Sequence, residues 1–221
     1  MNILEKICQY KKELVEINKK ALPLEKLLFY IEKTNFQKRG FIAAIEATIQ
    51  QKKTAIIAEV KKASPSKGII CEHFFPVEIA KNYEKYGAIC ISVLTDEKYF
   101  MGSNEFLINI KNKVTLPLLR KDFIIDKYQI WESKLIGADC ILLIMAALST
   151  EKAKELEEEA IKAGLDVLLE VHNKAELQQA LKLKSKLIGI NNRNLQDLSV
   201  DLSNASSIKT LVPQDRILIC E

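Results

Sequence analysis

The sequence predicts an α/β fold, a parallel (β/α) barrel preceded by a helical extension. Three observations predict it. Short apolar and β-branched runs recur along the chain, and their first residues lie about 21 to 34 residues apart. Helical patterns lie between these runs, and several of them stop on a glycine shortly before the next run. Strands that are apolar on both faces and alternate with helices form a parallel sheet under helical cover.

Residues 1–50 precede the first strand-like run and are predicted to be helical. Five apolar residues at steps of 4, 3, 4 and 3 predict an amphipathic first helix, and these are Ile3, Ile7, Tyr10, Leu14 and Ile17. Residues 24–31 and 41–49 continue the helical pattern. We expect this extension, 1–50, to pack on the barrel, 51–221, as one domain, since 221 residues suit one domain.

Seven apolar runs are predicted to be strands. They are residues 55–60, 89–94, 116–120, 139–145, 166–171, 187–191 and 217–221. Seven such units favour a barrel over an open dinucleotide-binding sheet, which would show a glycine-rich turn after its first strand.

The segments between the strands are predicted to be helices. Helical patterns cover 76–83 and 173–183, and another begins at Ser149 or Thr150, either of which suits an N-cap. Three glycines are expected to end helices in the left-handed conformation, and these are Gly87, Gly137 and Gly164.

Composition excludes several classes of protein. Charged residues make up 28% of the chain and hydrophobic residues 48%, which excludes disordered and fibrous proteins. No apolar run is long enough to span a membrane, and the N-terminus has no signal-peptide core, so we expect a cytoplasmic protein without membrane contact. The net charge of +4 comes from interspersed Lys and Glu with few arginines, which argues against a nucleic-acid partner.

The cysteines and histidines offer little for a metal site. The five cysteines are odd in number and widely spaced, without a CxxC pair, so a disulfide framework and a zinc site are not expected. Cys90 and Cys140 fall within apolar runs and are predicted to be small core residues. His73 and His172 are the only histidines, too few for a His-rich metal centre.

Polar residues follow the strand-like runs at their carboxyl ends. They are Glu59 and Lys61, Lys121, Glu170, Asn191 with Arg193, and Glu221. The carboxyl ends of barrel strands surround the active site, so we expect these side chains to meet there. Alternation along a strand places Glu59 and Lys61 on the same side, with Val60 opposite.

Lysines and glutamates that pack together shift each other's pKa, which suits general acid–base catalysis near neutral pH. Arg193 and a lysine can hold an anionic substrate. A Schiff-base aldolase is a competing use of a barrel lysine.

Six blocks of the chain, in order, carry a family resemblance. The most specific is 56–68, which contains Glu-x-Lys-x-x-Ser-Pro-Ser; the others are 92–103, 119–126, 137–144, 169–172 and 189–195. Together they resemble the indole-3-glycerol phosphate synthase family of tryptophan biosynthesis. The resemblance implies a TIM (β/α)8-type barrel with an N-terminal helical extension, and a monomer.

The resemblance also implies a reaction. A carbon–carbon lyase of this family converts 1-(2-carboxyphenylamino)-1-deoxyribulose 5-phosphate to indole-3-glycerol phosphate, CO2 and water. Its substrate is a small phosphorylated molecule, and the family uses neither a metal nor an organic cofactor.

Roles for individual residues follow from motif position. Lys121 resembles the general acid that protonates the carbonyl oxygen during ring closure, and Glu170 resembles a second acid in dehydration. Lys61 resembles the residue that meets the substrate carboxylate and can also act as an acid, while Glu59 orients it or acts as a base. The motif match leaves open which lysine and glutamate serve each step.

The remaining matched positions line the site of the family. They are Asn191, Arg193, Glu221 and the substrate-contacting Ser64, with Leu94, Phe100, Phe123 and Leu142 where an apolar pocket for the anthranilate ring is expected.

One departure concerns the end of the chain. Family members continue after the counterpart of Glu221 with Ser-Gly-Ile and an eighth strand and helix, and the loops after strands seven and eight bind phosphate. The 221 residues therefore predict a barrel without its eighth βα unit, a marginal fold with low turnover, and association through the open edges of the first and seventh strands.

Two alternatives stay open. The chain is a catalytically impaired remnant of such an enzyme, or it is another phosphate-sugar barrel such as phosphoribosylanthranilate isomerase. The Glu59/Lys61 pair and the N-terminal helices argue against the isomerase, which is expected to be shorter at its start and to use a Cys/Asp acid–base pair.

Overall fold

A computed structural model describes residues 2–34, 36–193 and 202–221, with the backbone alone for 202–204. Asn194 and Leu195, which close the last sequence block, lie outside these ranges. Seven of the described strands form one parallel sheet in chain order, which confirms the predicted α/β barrel-type fold. The strands are β1 Ile57–Val60, β2 Cys90–Leu94, β3 Leu118–Lys121, β4 Cys140–Ile144, β5 Asp166–Val171, β6 Leu187–Ile190 and β7 Ile217–Cys220.

Helices precede the sheet and connect its strands. They are α1 Ile3–Ala21, α2 Leu24–Lys33, α3 Phe41–Gln50, α4 Pro76–Lys85, α5 Glu97–Phe100, α6 Asn104–Lys111, α7 Lys127–Leu135, α8 Thr150–Lys162, α9 Lys174–Ala180 and α10 Leu202–Lys209. None of the helices in the described part of the chain is long and apolar enough to cross a membrane.

The helix ends follow the signals in the sequence. Ser149 is the N-cap of α8, and its side chain accepts a hydrogen bond from the backbone N–H of Lys152. Gly87, Gly137 and Gly164 have φ values of 92°, 92° and 74°, so each adopts the predicted left-handed conformation after a helix.

The helix predicted over 173–183 is shorter than expected. It ends at Ala180, and the backbone N–H groups of Lys184 and Ser185 donate to the buried carboxylate of Glu157. These bonds draw the chain out of the helical path and towards β6, which begins at Leu187.

Alternate residues of the strands face two layers. Cys90 and Cys140 point to the inner cluster and pack with Phe41 of α3, and both are fully buried, which confirms them as core residues. Ile141, which follows Cys140, packs instead in the cluster formed with α8. This alternation buries both faces of the sheet and leaves the carboxyl ends of the strands for polar groups.

The buried face of α1 differs from the predicted stripe. Leu4, Ile7, Lys11 and Val15 are its buried residues, whereas Ile17 is 62% exposed. The prediction of an amphipathic helix is correct, but the predicted buried face was wrong. The face that is buried has a lysine at its centre, and the apolar pattern therefore did not identify it.

Lys11 joins α1 to the loops after β2 and β3. Its Nζ lies 2.9 Å from Asp96 Oδ2 and 2.6 Å from Asp122 Oδ1, and all three side chains are almost completely buried. Burial would lower the pKa of Lys11, but the two carboxylates raise it above its ordinary value. Arg120 continues the network, with Nη2 3.3 Å from Asp122 Oδ2 and 2.7 Å from Glu132 Oε2.

Candidate active site

A cavity of about 1140 Å³ opens at the carboxyl ends of the strands. Twelve side chains predicted from the sequence to form the site all line it. They are Glu59, Lys61, Ser64, Leu94, Phe100, Lys121, Phe123, Leu142, Glu170, Asn191, Arg193 and Glu221. The parallel sheet brings them together because the carboxyl ends of its seven strands lie at this one edge.

The centre of the cavity is an ion cluster around Lys121. Its Nζ lies 2.8 Å from Glu59 Oε2 and 2.5 Å from Glu221 Oε2. Lys61 donates to the other oxygen of the Glu59 carboxylate, so that carboxylate bridges two ammonium groups. Glu59 and Lys61 therefore share a side of the chain, and Val60 between them is buried on the other, as the alternation predicts.

The cluster fixes the protonation of its members. Burial would lower the pKa of Lys121, but Glu221, Glu59 and Glu170 raise it above its ordinary value. Burial would raise the pKa of Glu59, yet Lys121 and Lys61 hold it below its ordinary value. Burial raises the pKa of Glu221, and the neighbouring carboxylates of Glu170 and Glu59 add to this. Glu221 is therefore the carboxyl of the three that takes up a proton most readily.

Glu170 lies at the end of β5 and is 2% exposed. Burial would raise its pKa, but the neighbouring His172, whose Nε2 lies 3.3 Å from Glu170 Oε1, the charge of Lys121 and the side chain of Asn191 hold it below its ordinary value. Glu170 is therefore a carboxylate in the free protein. In the free protein it can act as a base, and it must first take up a proton to act as an acid.

Asn191 and Asn192 follow β6, and both line the cavity. The Asn191 Oδ1 accepts from the backbone N–H of Arg193 at 2.9 Å, which fixes the turn that carries the arginine. The Asn192 Nδ2 donates to the backbone carbonyl of Glu221 at 2.9 Å. Asn192 therefore ties Glu221 to β6 and is a site residue that the sequence analysis did not single out.

Ser64 is placed by a small hairpin directly after β1. Residues Ala63–Ser64 pair antiparallel with Gly68–Ile69, and the Oγ atoms of Ser64 and Ser66 are 3.5 Å apart. The hairpin therefore adds a pair of hydroxyl groups to the lining of the cavity.

One wall of the cavity is apolar. The rings of Phe100 and Phe123 have centroids 6.0 Å apart, and Leu94 and Leu142 line the same cavity. Gly102 lets the loop that carries Phe100 approach the end of β2, because a Cβ there would stand 2.4 Å from the carbonyl oxygen of Leu94. A flat aromatic group fits against such a wall while its charged substituents face the lysines.

Residues of the N-terminal helices also line the cavity, which the sequence analysis did not predict. Leu4 and Ile7 of α1 and Ile45 of α3 form part of the lining. The position of Leu4 and Ile7 depends on how α1 docks through Lys11, and no local signal in the sequence encodes that docking.

No metal ligand set is evident at the site. Among the described ranges, 2–34, 36–193 and 202–221, no group of three or more His, Cys, Asp or Glu side chains is arranged to hold a metal ion. The groups present are amines, carboxylates, amides and one guanidinium, which suit proton transfer and anion binding.

Comparisons with known proteins identify relatives of the chain. The model of the family described as "Indole-3-glycerol phosphate synthase" matches residues 4–221. Proteins of that name from Azospirillum brasilense and Polynucleobacter necessarius subsp. necessarius (strain STIR1) are 48% and 50% identical to the chain over 220 and 224 residues. The matches cover 100% of this chain and 84% of each relative.

A solved structure described as "Native KDPGal structure" is similar in fold alone. Its TM-score is 0.50 at 12% identity, and the match covers 75% of this chain and 71% of that one.

Proposed function

Because the chain belongs to the indole-3-glycerol phosphate synthase family, we propose that its cavity performs the family reaction through the residues described above. The chain is a carbon–carbon lyase of tryptophan biosynthesis that acts on a small phosphorylated substrate. The observation that carries the assignment of the site is the Lys121 ammonium, held between two carboxylates in a cavity that is also lined by aromatic and aliphatic side chains.

The first step closes the ring. The ring carbon that bears the substrate carboxylate attacks the ketone, and Lys121 donates a proton to the carbonyl oxygen as the bond forms. A developing alkoxide is more basic than an amine, so the proton moves to oxygen even from a lysine whose pKa is raised. Phe100, Phe123, Leu94 and Leu142 hold the aromatic ring in the attacking position.

The second step releases CO2, which restores the aromatic ring. Lys61 is the cation that meets the substrate carboxylate, because it lines the cavity and is bound by a single carboxylate, Glu59, among the described contacts. Arg193 also lines the cavity and can hold a second anionic group of the substrate.

The third step eliminates water. The new hydroxyl leaves with a proton from Lys61, and a carboxylate removes the proton from the adjacent carbon. Glu170 suits that acceptor because it is buried and ionised in the free protein. Lys121 and Lys61 each donate one proton and Glu170 accepts one, so the protein supplies one proton overall. The reaction balances because loss of CO2 from a carboxylate consumes one proton.

We predict that Lys61→Ala raises KM and also lowers kcat, because an ammonium that faces the substrate carboxylate acts in both binding and chemistry. The two constants are measured separately from the indole fluorescence of the product. Lys62→Ala is the matched control, since Lys62 does not contribute to the described cavity lining. An unchanged KM in Lys61→Ala would contradict the carboxylate role.

The experiment that tests the assignment is turnover itself. The purified chain is incubated with 1-(2-carboxyphenylamino)-1-deoxyribulose 5-phosphate, and product is followed by indole fluorescence and by released CO2. Formation of both in equal amounts supports the proposal. Absence of both from a cooperatively folded chain would overturn it.

We also propose that the chain works as a monomer in the cytoplasm and that residues 1–50 and 51–221 form one domain. The five cysteines are free, which suits a reducing compartment. The buried Lys11 of the first segment is bound by two carboxylates of the second, which supports a single folding unit.

A further inference from the structure

The strand that carries Glu170 delivers a second titratable group, His172, to which the proposed reaction gives no role. His172 lies two residues after Glu170, so alternation places both side chains on the same side of the chain. Its Nε2 is 3.3 Å from Glu170 Oε1, and its Nδ1 is 3.0 Å from Glu176 Oε2. The imidazole is therefore held between two carboxylates, and its side chain is 9% exposed.

Glu176 is itself fixed by the start of α9. Its backbone N–H donates to the Oδ1 of Asn173, the N-cap, at 2.9 Å, and its Oε1 accepts from Asn173 Nδ2 at 2.6 Å. Its Oε2 also accepts from the backbone N–H of His172 at 2.8 Å. Glu176 is not part of the cavity lining, so it acts on the cavity only through the histidine.

We propose that His172 is a positioning residue of the reaction: anchored by Glu176, its imidazolium fixes the orientation and the ionised state of the Glu170 carboxylate that lines the cavity. The inference rests on the proposed function, since it matters for turnover only if Glu170 works on the substrate.

The charges around Glu170 explain why a second cation is needed. Lys121, on β3, also faces Glu170, but it is shared with Glu59 and Glu221. Asn191, after β6, adds a neutral hydrogen bond, and Glu221, after β7, opposes ionisation of Glu170. Burial would lower the pKa of His172, but Glu170 and Glu176 raise it to about 9, so the imidazole is a cation at neutral pH.

The first test is the pH profile of kcat/KM for His172→Gln, which keeps a hydrogen-bond donor and removes the charge. If ionised Glu170 is required, loss of the cation moves the acidic limb of the profile upward by about 1 pH unit or more. His73→Gln is the matched control, because His73 is exposed. An acidic limb unchanged in His172→Gln would overturn the proposal.

The second test separates this proposal from the proposed function. In a Glu170→Gln background, His172→Gln should change kcat by less than about twofold, because the two residues then no longer act as a unit. If His172→Gln lowers kcat equally in both backgrounds, its role is structural and the proposal fails while the function stands. If Glu170→Gln alone keeps parental turnover, Glu170 does not work on the substrate, and both its proposed use and the proposed role of His172 are wrong.

Thermal unfolding tests the ion pair without substrate. Because the pKa of His172 is raised from 6.5 to about 9, its stabilising contribution is complete below pH 6.5 and is lost as the pH rises through about 9. The difference in Tm between the parent and His172→Gln should therefore be largest below pH 6.5 and shrink towards pH 9. A difference that is constant with pH would contradict the charged contact.

Discussion

Lys121→Met should lower kcat by about 10²- to 10⁴-fold while the fold is retained, which is the usual loss for a missing general acid. The ammonium at the end of β3 lies at the centre of the cavity, between Glu59 and Glu221. Methionine fills a similar volume but cannot give a proton to the substrate carbonyl. The measurement is single-turnover and steady-state kinetics followed by indole fluorescence, with circular dichroism to verify the fold.

The control for this substitution is Lys113→Met, in the exposed segment before β3. It should keep parental turnover. A Lys121→Met protein within about threefold of the parent in kcat would exclude Lys121 as the acid of ring closure.

Lys11→Met should lower the free energy of unfolding by about 3–5 kcal/mol, since removing one partner of a buried ion network leaves the other charges uncompensated. Lys11 is bound by Asp96 and Asp122, and all three side chains lie away from water. Asp122 keeps Arg120 as a partner, whereas Asp96 loses its only ion-pair partner among the described contacts. Chemical denaturation gives the difference, and a fall in kcat is also expected because Asp122 adjoins Lys121.

The neighbouring Lys12→Met is the matched control, because Lys12 is exposed on the same helix. It should change the free energy of unfolding by no more than about 0.5 kcal/mol. If Lys11→Met costs less than about 1 kcal/mol, the network does not hold α1 on the barrel.

The sheet and the charged residues at the strand ends could be predicted from local patterns, whereas Ser64 and the apolar lining of the cavity were named from the family resemblance. A strand is recognised by its apolar run, and the parallel arrangement places every carboxyl end at one edge. Glu59 and Lys61 were placed on one side by alternation alone, and the structure pairs them. The same rule applied to Glu170 and His172 indicates the contact between them, but the sequence analysis assigned a role at the site to Glu170 alone.

The docking of α1 was not predictable in this way. A lysine on a helix normally lies on the solvent-facing side. Lys11 lies on the buried side because it forms ion pairs with two aspartates of distant loops. These ion pairs depend on residues 85 and 111 positions away, and no sequence pattern near Lys11 predicts them. The cavity lining by Leu4 and Ile7 was missed for the same reason.

Two cations of the free cavity, Lys61 and Lys121, are already engaged by the protein's own carboxylates, and this makes substrate binding to them an exchange reaction. Glu59 holds Lys61 and Lys121, and Glu221 holds Lys121. Each carboxylate acts as a tethered competitor whose effective concentration is fixed by the fold. An anionic substrate that displaces one replaces an ion pair rather than neutralising a bare charge, so ground-state affinity is lower than the contacts alone suggest. The displaced carboxylate loses one of its cations, so in the complex it is a stronger base than in the empty cavity.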